Sequence, residues 1–467
     1  MSDRVSLVLD QLRSQMWFIP GVFVVGALLA ALLVVPLDRL ADQALGVHLS
    51  SIFFPGGPDS ARLVLSTIAA AMLTFTGLVY SVTMLVLQLA SSQLSPRVMR
   101  TFLRDRVTQS VLGLFIATFL YALLVLREIR SPPNDAAFVP AIAVTLVYVL
   151  LVASVIAFVF YIHHMAKAMR AANVLRSVAD ETRSAISRLY PKGIGEEPTQ
   201  PAPLLATRPP DAVVDLERQP GVIVSVDEEA LGRFAQDHCV TVELLYMIGD
   251  FVPSGAPLVR IWRKPAMSAG QELSTEALSQ AIEIGGERSM SQDPAFGFRQ
   301  IVDIAERALS PGTNDPSTAV QALDELHDLL RRLARREFTS PSRLAADGSL
   351  LLRLPRPDWP DYVALALDEI RQYGAGSLQV ARRLRYLLLD LKAVAPAHRQ
   401  WPLDRQIRLL DEAIAARYDS ADDRRSAAQP SPSGMGPAEA PAQAAGSDIG
   451  QLTTEGLPKH GGSFGQS

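Results

Sequence analysis

Leu63-Val64-Leu65-Ser66-Thr67-Ile68-Ala69-Ala70-Ala71-Met72-Leu73-Thr74-Phe75-Thr76-Gly77-Leu78-Val79-Tyr80-Ser81-Val82-Thr83-Met84-Leu85-Val86-Leu87-Gln88-Leu89 contains no Asp, Glu, Lys or Arg. A helix crossing the hydrocarbon core of a bilayer needs about 20 mostly apolar residues, so this stretch predicts a membrane span. Three more stretches qualify, giving spans at about 17–36, 63–89, 111–126 and 139–162. The third is the shortest and reaches full length only by taking in Thr108 and Gln109. Asp3 and Asp10 in the leading segment, and the length of the first apolar run, argue for a retained span rather than a cleaved signal. No Asp, Glu, Lys or Arg lies in the middle of a span, which argues against a proton relay and leaves an uncharged pore open.

Orientation follows from the Arg and Lys of the flanking segments. Arg4 and Arg13, then Arg97, Arg100, Arg104 and Arg106, then Lys167, Arg170 and Arg176 stand on one side. Arg39, Arg62, Arg127 and Arg130 stand on the other. The expected topology is a multi-pass protein of a bacterial inner membrane with both termini cytoplasmic. Trp17 suits an interfacial anchor. The expected fold class is therefore membrane α-helical, four transmembrane helices, followed by a cytoplasmic α+β domain. That domain is expected to be mostly helical with a small β-hairpin-containing subdomain.

Within the second span Thr67, Thr74, Ser81 and Gln88 recur every seven residues, with Ala70 and Gly77 between them. That spacing places them on one helical face. Two readings stay open: small and hydroxylated residues pack helices closely, or they line a water-filled path. The span is expected to run past the bilayer to Gln93. Ser95-Pro96 then opens a helix that puts Arg97, Arg100 and Arg104 on one face. These arginines are candidate contacts for anionic lipid headgroups, or serve topology alone.

Composition bounds the rest. The chain has 467 residues, 49% of them hydrophobic, and a net charge of −4, so no nucleic-acid partner is implied. Cys239 is the single cysteine, which excludes an intrachain disulfide and a multi-cysteine zinc site. No metal and no cofactor are expected. His163 and His164 are expected as neutral interfacial side chains.

The fourth span is expected to continue as a helix to about Leu189, a helical extension over 165–190, before a Pro- and Gly-dense linker at 191–212. A small β-rich subdomain at 213–264 follows: strands Gly221–Val226 and Val240–Tyr246, a helix Glu228–Gln236, and a hairpin at Gly249–Leu258. That hairpin resembles the Gly-x-x-Val-x-x-Gly-x-x-Leu turn of biotinyl and lipoyl carrier domains, without their lysine. A helical domain is expected over 265–418, with helices at Glu272–Glu283, Ala295–Leu309, Trp359–Tyr373, Ser377–Val394 and Leu403–Tyr418. Asp293-Pro294 and Asp315-Pro316 are helix starts, Asp as cap and Pro in the first turn. The Ser310–Thr318 loop gathers Ser310, Asn314, Asp315 and Thr318 at a helix N-terminus. With Arg288 and Asp293 it is a candidate site for a small polar or anionic ligand. The Ala-, Pro- and Ser-rich segment 419–467 is expected to be disordered.

Several of these segments together resemble a widespread bacterial family of predicted membrane proteins whose domain has no assigned function. They are Leu94-Ser95-Pro96-Arg97, Gln109-x-x-Leu112-Gly113-x-Phe115, the Gly249-Asp250-Phe251-Val252 turn and Gln292-Asp293-Pro294-x-Phe296-Gly297. The longest is Ala308-Leu309-Ser310-Pro311-Gly312-x-Asn314-Asp315-Pro316-x-Thr318-Ala319. The resemblance implies the same topology and no activity.

Three functions are weighed. A homo-oligomeric channel-like or transport-like protein would line a path with the span-two stripe. A membrane-anchored sensor or scaffold would bind a ligand or a protein at the Ser310–Thr318 loop. A membrane enzyme would have to draw on Arg288, Asp293, Asp303, Asn314 and Asp315, since no Walker, dinucleotide or zinc-protease pattern occurs.

Overall fold

A computed structural model describes residues 17–45, 54, 56–93, 105–129, 138–168, 170–193, 208–264, 275–345 and 347–436. Four of its helices are long and apolar enough to cross a membrane. They are α1 (Phe18–Leu45), α2 (Pro58–Gln93), α3 (Arg106–Glu128) and α4 (Ala141–Ala168). α1 continues beyond Pro36, where the sequence suggested a stop; a helix in lipid tolerates Pro because neighbours satisfy the freed carbonyl. α2 does extend to Gln93.

α3 is the centre of the bundle and packs against the three other spans. Gly113 makes the approach to α1 possible, since a Cβ there would meet Pro20 Cα at 3.1 Å and the Phe23 ring at 2.9 Å. Phe75 meets Phe115 and Phe158 edge-on, and those two rings are tilted to each other, between α2, α3 and α4. Buried hydroxyls pair across helices: Thr83 with Tyr161 at 2.8 Å, and Thr118 with Ser154 at 3.3 Å. Each satisfies a group that hydrocarbon cannot solvate. The outer faces of α1 and α4 are apolar, including Leu32, Leu33, Val152 and Ile156.

Lys167 and Arg170 do not lie within one continuous helix. α4 ends at Ala168, Arg170 is extended (φ −71°, ψ 124°), and α5 (Ala171–Leu189) starts anew. The extension expected over 165–190 is thus two helices. α5 is amphipathic and buries Val174, Leu175, Val178 and Ile186 in the core of the C-terminal domain.

That domain has two cores. The β layer contains β1 (Ala212–Asp215), β2 (Gly221–Val226), α6 (Glu228–Asp237), β3 (Val240–Leu244), β4 (Phe251–Val252) and β5 (Pro257–Arg263). It is completed from further along the chain by α7 (Thr275–Ala281), β6 (Ile282–Gly285), β7 (Ser342–Leu344) and β8 (Leu350–Arg353). One sheet has the order β1-β5-β3-β8-β7, the other β4-β2-β6. The chain after Ser274 is therefore not all helical. The helix expected to run to Glu283 gives way at Ile282 to a strand that pairs with β2. Nor is Gly249–Leu258 a two-stranded hairpin: β4 pairs with β2 and β5 with β1 and β3, so the turn carries the chain between sheets. Gly249 and Gly255 take φ of 97° and 76°, conformations open to glycine.

The helical layer comprises α8 (Pro294–Leu309), α9 (Pro316–Leu333), α10 (Trp359–Gly374), α11 (Leu378–Val394) and α12 (Trp401–Arg417), with α5 against α8 and α9. The segment from Asp419, expected to be disordered, instead begins with α13 (Ala421–Ala428). Ser420 caps it, Ala427 is buried, and the Ser426 carbonyl accepts a 2.7 Å bond from Arg382 Nε. Residues 437–467 lie outside the described residues.

Candidate functional site

The span-two stripe lies on the outside of the bundle. Thr67, Thr74, Ser81 and Gln88 are exposed, while Leu65, Ile68, Met72, Val79 and Val86 on the opposite face are buried. Each stripe hydroxyl bonds the carbonyl four residues back: Thr67 to Leu63 at 2.7 Å, Thr74 to Ala70 at 3.0 Å, Ser81 to Gly77 at 2.8 Å. A Cβ on Gly77 would meet nothing within 4 Å. The stripe thus lines no path inside one protomer.

Arg97, Arg100 and Arg104 lie outside the described residues. Just after them, Asp105 caps α3 by accepting from the Val107 and Thr108 N–H groups, and its Oδ2 lies 3.1 Å from His164 Nε2 on α4. The interhelix pair ties the two spans at the end from which the C-terminal domain departs.

Arg288 and Asp293 do come together. Asp293 Oδ1 accepts the Phe296 N–H at 3.1 Å and so caps α8; Asp293 Oδ2 accepts from Arg288 Nε and Nη2 at 2.9 and 2.7 Å. Arg288 also lies over the Phe296 ring. Burial pushes the Asp293 carboxyl above its usual range, outweighing the opposing pull of the Arg288 guanidinium. Gly249 completes this junction, because a Cβ there would sit 2.5 Å from Asp293 Oδ2. Gln292 reaches across to the β layer, accepting the Val226 N–H at 3.0 Å. The group Gln292-Asp293-Pro294 thus joins the β layer to the helical layer. Gly297 lets α5 cross α8 closely, beside Thr182.

The Ser310–Thr318 loop stands at the other end of α8, about 24 Å away at 1.5 Å per residue, so it forms no cluster with Arg288 and Asp293. Its polar atoms are used within the turn. Asp315 caps α9 from the Ser317 and Thr318 N–H groups and accepts the Thr318 hydroxyl at 2.6 Å. Ser310 donates to the Arg307 carbonyl at 2.7 Å, and Asn314 takes a φ of 46° that closes the turn. Asp303 ion-pairs with Arg299 at 2.9 Å on the outer side of α8.

Two built polar groups lie outside the sequence reading. Asp38, 3% exposed near the end of α1, accepts from the Ile142 and Ala143 N–H groups at 3.2 and 2.9 Å, capping α4 from another helix. On α9 and α11, Arg383 Nη2 donates to His327 Nδ1 at 3.0 Å, and His327 Nε2 meets Asp390 Oδ2 at 2.8 Å. Because Arg383 can only donate, His327 is held neutral with its proton on Nε2. Among the described residues no cluster of three His, Cys, Asp or Glu is arranged to hold a metal.

Fold and site define the class: a membrane protein of four apolar helices carrying a large mixed α/β domain. The chain belongs to the family described as Predicted membrane protein (DUF2254), whose model matches residues 13–390. It is similar to uncharacterised proteins of Mycobacterium tuberculosis and Mycobacterium bovis, each 33% identical over 433 residues, 91% of this chain and 81% of the relative. No solved structure matches it.

Proposed function

We propose that this is an inner-membrane protein with both ends in the cytoplasm, whose copies meet through the outer face of α2. A channel-like or transport-like path then runs along that shared face, under control of the cytoplasmic domain. One observation carries the reading: Thr67, Thr74 and Ser81, with Gly77 open between them, face away from their own bundle. Small residues let a second backbone approach, and in lipid this close packing drives helix association. The hydroxyls are bonded to their own helix yet keep lone pairs for water or for a facing helix. Inside one protomer Thr83 is paired with Tyr161 and Thr118 with Ser154, which leaves the outward hydroxyls of α2 as the ones free for a path between copies. Arg97, Arg100 and Arg104 belong to the same proposal, as headgroup contacts at the cytoplasmic surface.

The test is reconstitution in liposomes, with conductance recorded for K⁺, Na⁺ and Cl⁻. Flux that Gly77→Leu abolishes while the protein stays folded is the expected result. A folded, reconstituted sample that is silent to every ion and voltage overturns the path.

A further inference from the structure

A cleft separates the β layer from the helical layer of the C-terminal domain, remote from α2. The space open to a water's centre is ≈ 80 Å³, several times the roughly 10–15 Å³ that one water requires. Its walls are apolar, with Val226, Leu244, Ile248 and Leu354 facing Leu189 at the end of α5. Charge enters at Arg356 and Glu228. Arg356 Nη2 sits 2.6 Å from Glu228 Oε1, while Arg356 Nε is buried and has no acceptor among the described residues. The Tyr190 hydroxyl in the same wall lies 3.2 Å from that of Tyr362. Asp293 lines the cleft too, but both of its oxygens are taken by Arg288 and the start of α8.

A guanidinium presents a planar fork of donors that suits a carboxylate two bonds at a time. Glu228 uses one edge point of that fork and leaves Nε unsatisfied, which is costly for a buried donor. A mostly apolar pocket with a few placed polar or charged groups is the usual form of a small-molecule site. We propose that this cleft binds a small carboxylate with an apolar body, its carboxylate on Nε and Nη2 of Arg356 in the place Glu228 Oε1 now holds. The body packs between Leu189 and Leu354. Glu228 is then an internal competitor, released when the ligand enters. The inference is independent of how α2 is used.

Thermal unfolding of the full-length protein in detergent, titrated with butyrate, tests it; butanol and butylamine at matched ionic strength are the controls. Butyrate is expected to raise Tm saturably, and the controls are not. Arg356→Gln is expected to weaken butyrate at least tenfold. Glu228→Gln, which frees the guanidinium without removing it, is expected to tighten butyrate several-fold. No shift with butyrate on the folded protein, an equal shift with butanol, or an affinity unchanged or weaker in Glu228→Gln overturns the assignment. Should Arg356→Gln not fold, the Glu228→Gln titration alone decides.

Discussion

Gly297→Ala is the perturbation with the clearest expectation. A Cβ at Gly297 would lie 1.9 Å from Thr182 Oγ1, 2.9 Å from Thr182 Cβ and 3.0 Å from Thr182 Cγ2. Favourable contacts sit at roughly 3.5 Å, so α5 and α8 must part by about 1.6 Å. Rotating Thr182 does not relieve the clash. Its hydroxyl is fully buried and bonded to the Val178 carbonyl at 2.7 Å, and its Cβ is itself too close. Overpacking of this kind costs about 1–3 kcal/mol, and this site belongs at the upper end. Ala returns about 1 kcal/mol of helix propensity over Gly. The net loss is then about 2 kcal/mol, or roughly 4–8 °C in Tm for a domain of this size. The assay is thermal unfolding of the detergent-solubilised protein by tryptophan fluorescence, with Trp262, Trp359 and Trp401 in the C-terminal domain. Thr182→Ala removes the closest atom and is expected to rescue much of the loss, whereas Thr182→Ser keeps Oγ1 and is not. A Gly297→Ala protein melting at or above wild type, or equal rescue by Ser and Ala, refutes the reasoning.

Three further predictions concern polar groups. Burial, and then the charge of Arg383, lower the His327 pKa below its ordinary 6.5. The unfolded chain therefore binds more protons there, so this site's stability is full above pH 6.5 and is lost as pH falls through that value towards the folded one. Unfolding from pH 8 to pH 5.5 should show that loss in wild type and a flatter profile in His327→Gln; identical profiles contradict it. Asp38→Ala should cost about 2 kcal/mol, the upper range for a helix cap, with Asp38→Asn intermediate, read as Tm in detergent; an unchanged Tm for the Ala variant contradicts the capping role. Asp315→Ala should cost about 1 kcal/mol and Ser310→Ala within about 0.5, by chemical denaturation; the reverse order would mean that the turn is held otherwise.

Much of this fold is legible along the chain because its determinants are local. Apolar length alone predicts the four spans, and Asp293-Pro294 and Asp315-Pro316 announce α8 and α9, whose caps form as expected. What is not legible depends on partners far away in the sequence. β6 and β8 are four residues each and gain their identity from β2 and β3; the parallel pairing of Val242 with Leu352 has no local signal. Asp38 looks like a loop-side acid until α4 arrives to be capped. The face of α2 that bears Thr67, Thr74 and Ser81 can be drawn from its period, but its direction cannot. In lipid both sides of a span are apolar, so hydrophobicity does not separate inside from outside. Arg288 and the Ser310–Thr318 loop share one polar character in sequence, and the length of α8 keeps them apart.

The most direct test of the meeting face on α2 is disulfide trapping in native membranes. Cys239 is the only cysteine, so a Cys239→Ser protein is a clean background. Single cysteines placed at Thr74, Gly77 and Ser81 are predicted to oxidise to covalent dimers, while one at exposed Val152 on α4 is not. Dimers formed equally well at Val152, or absent at all three α2 positions, would contradict the account.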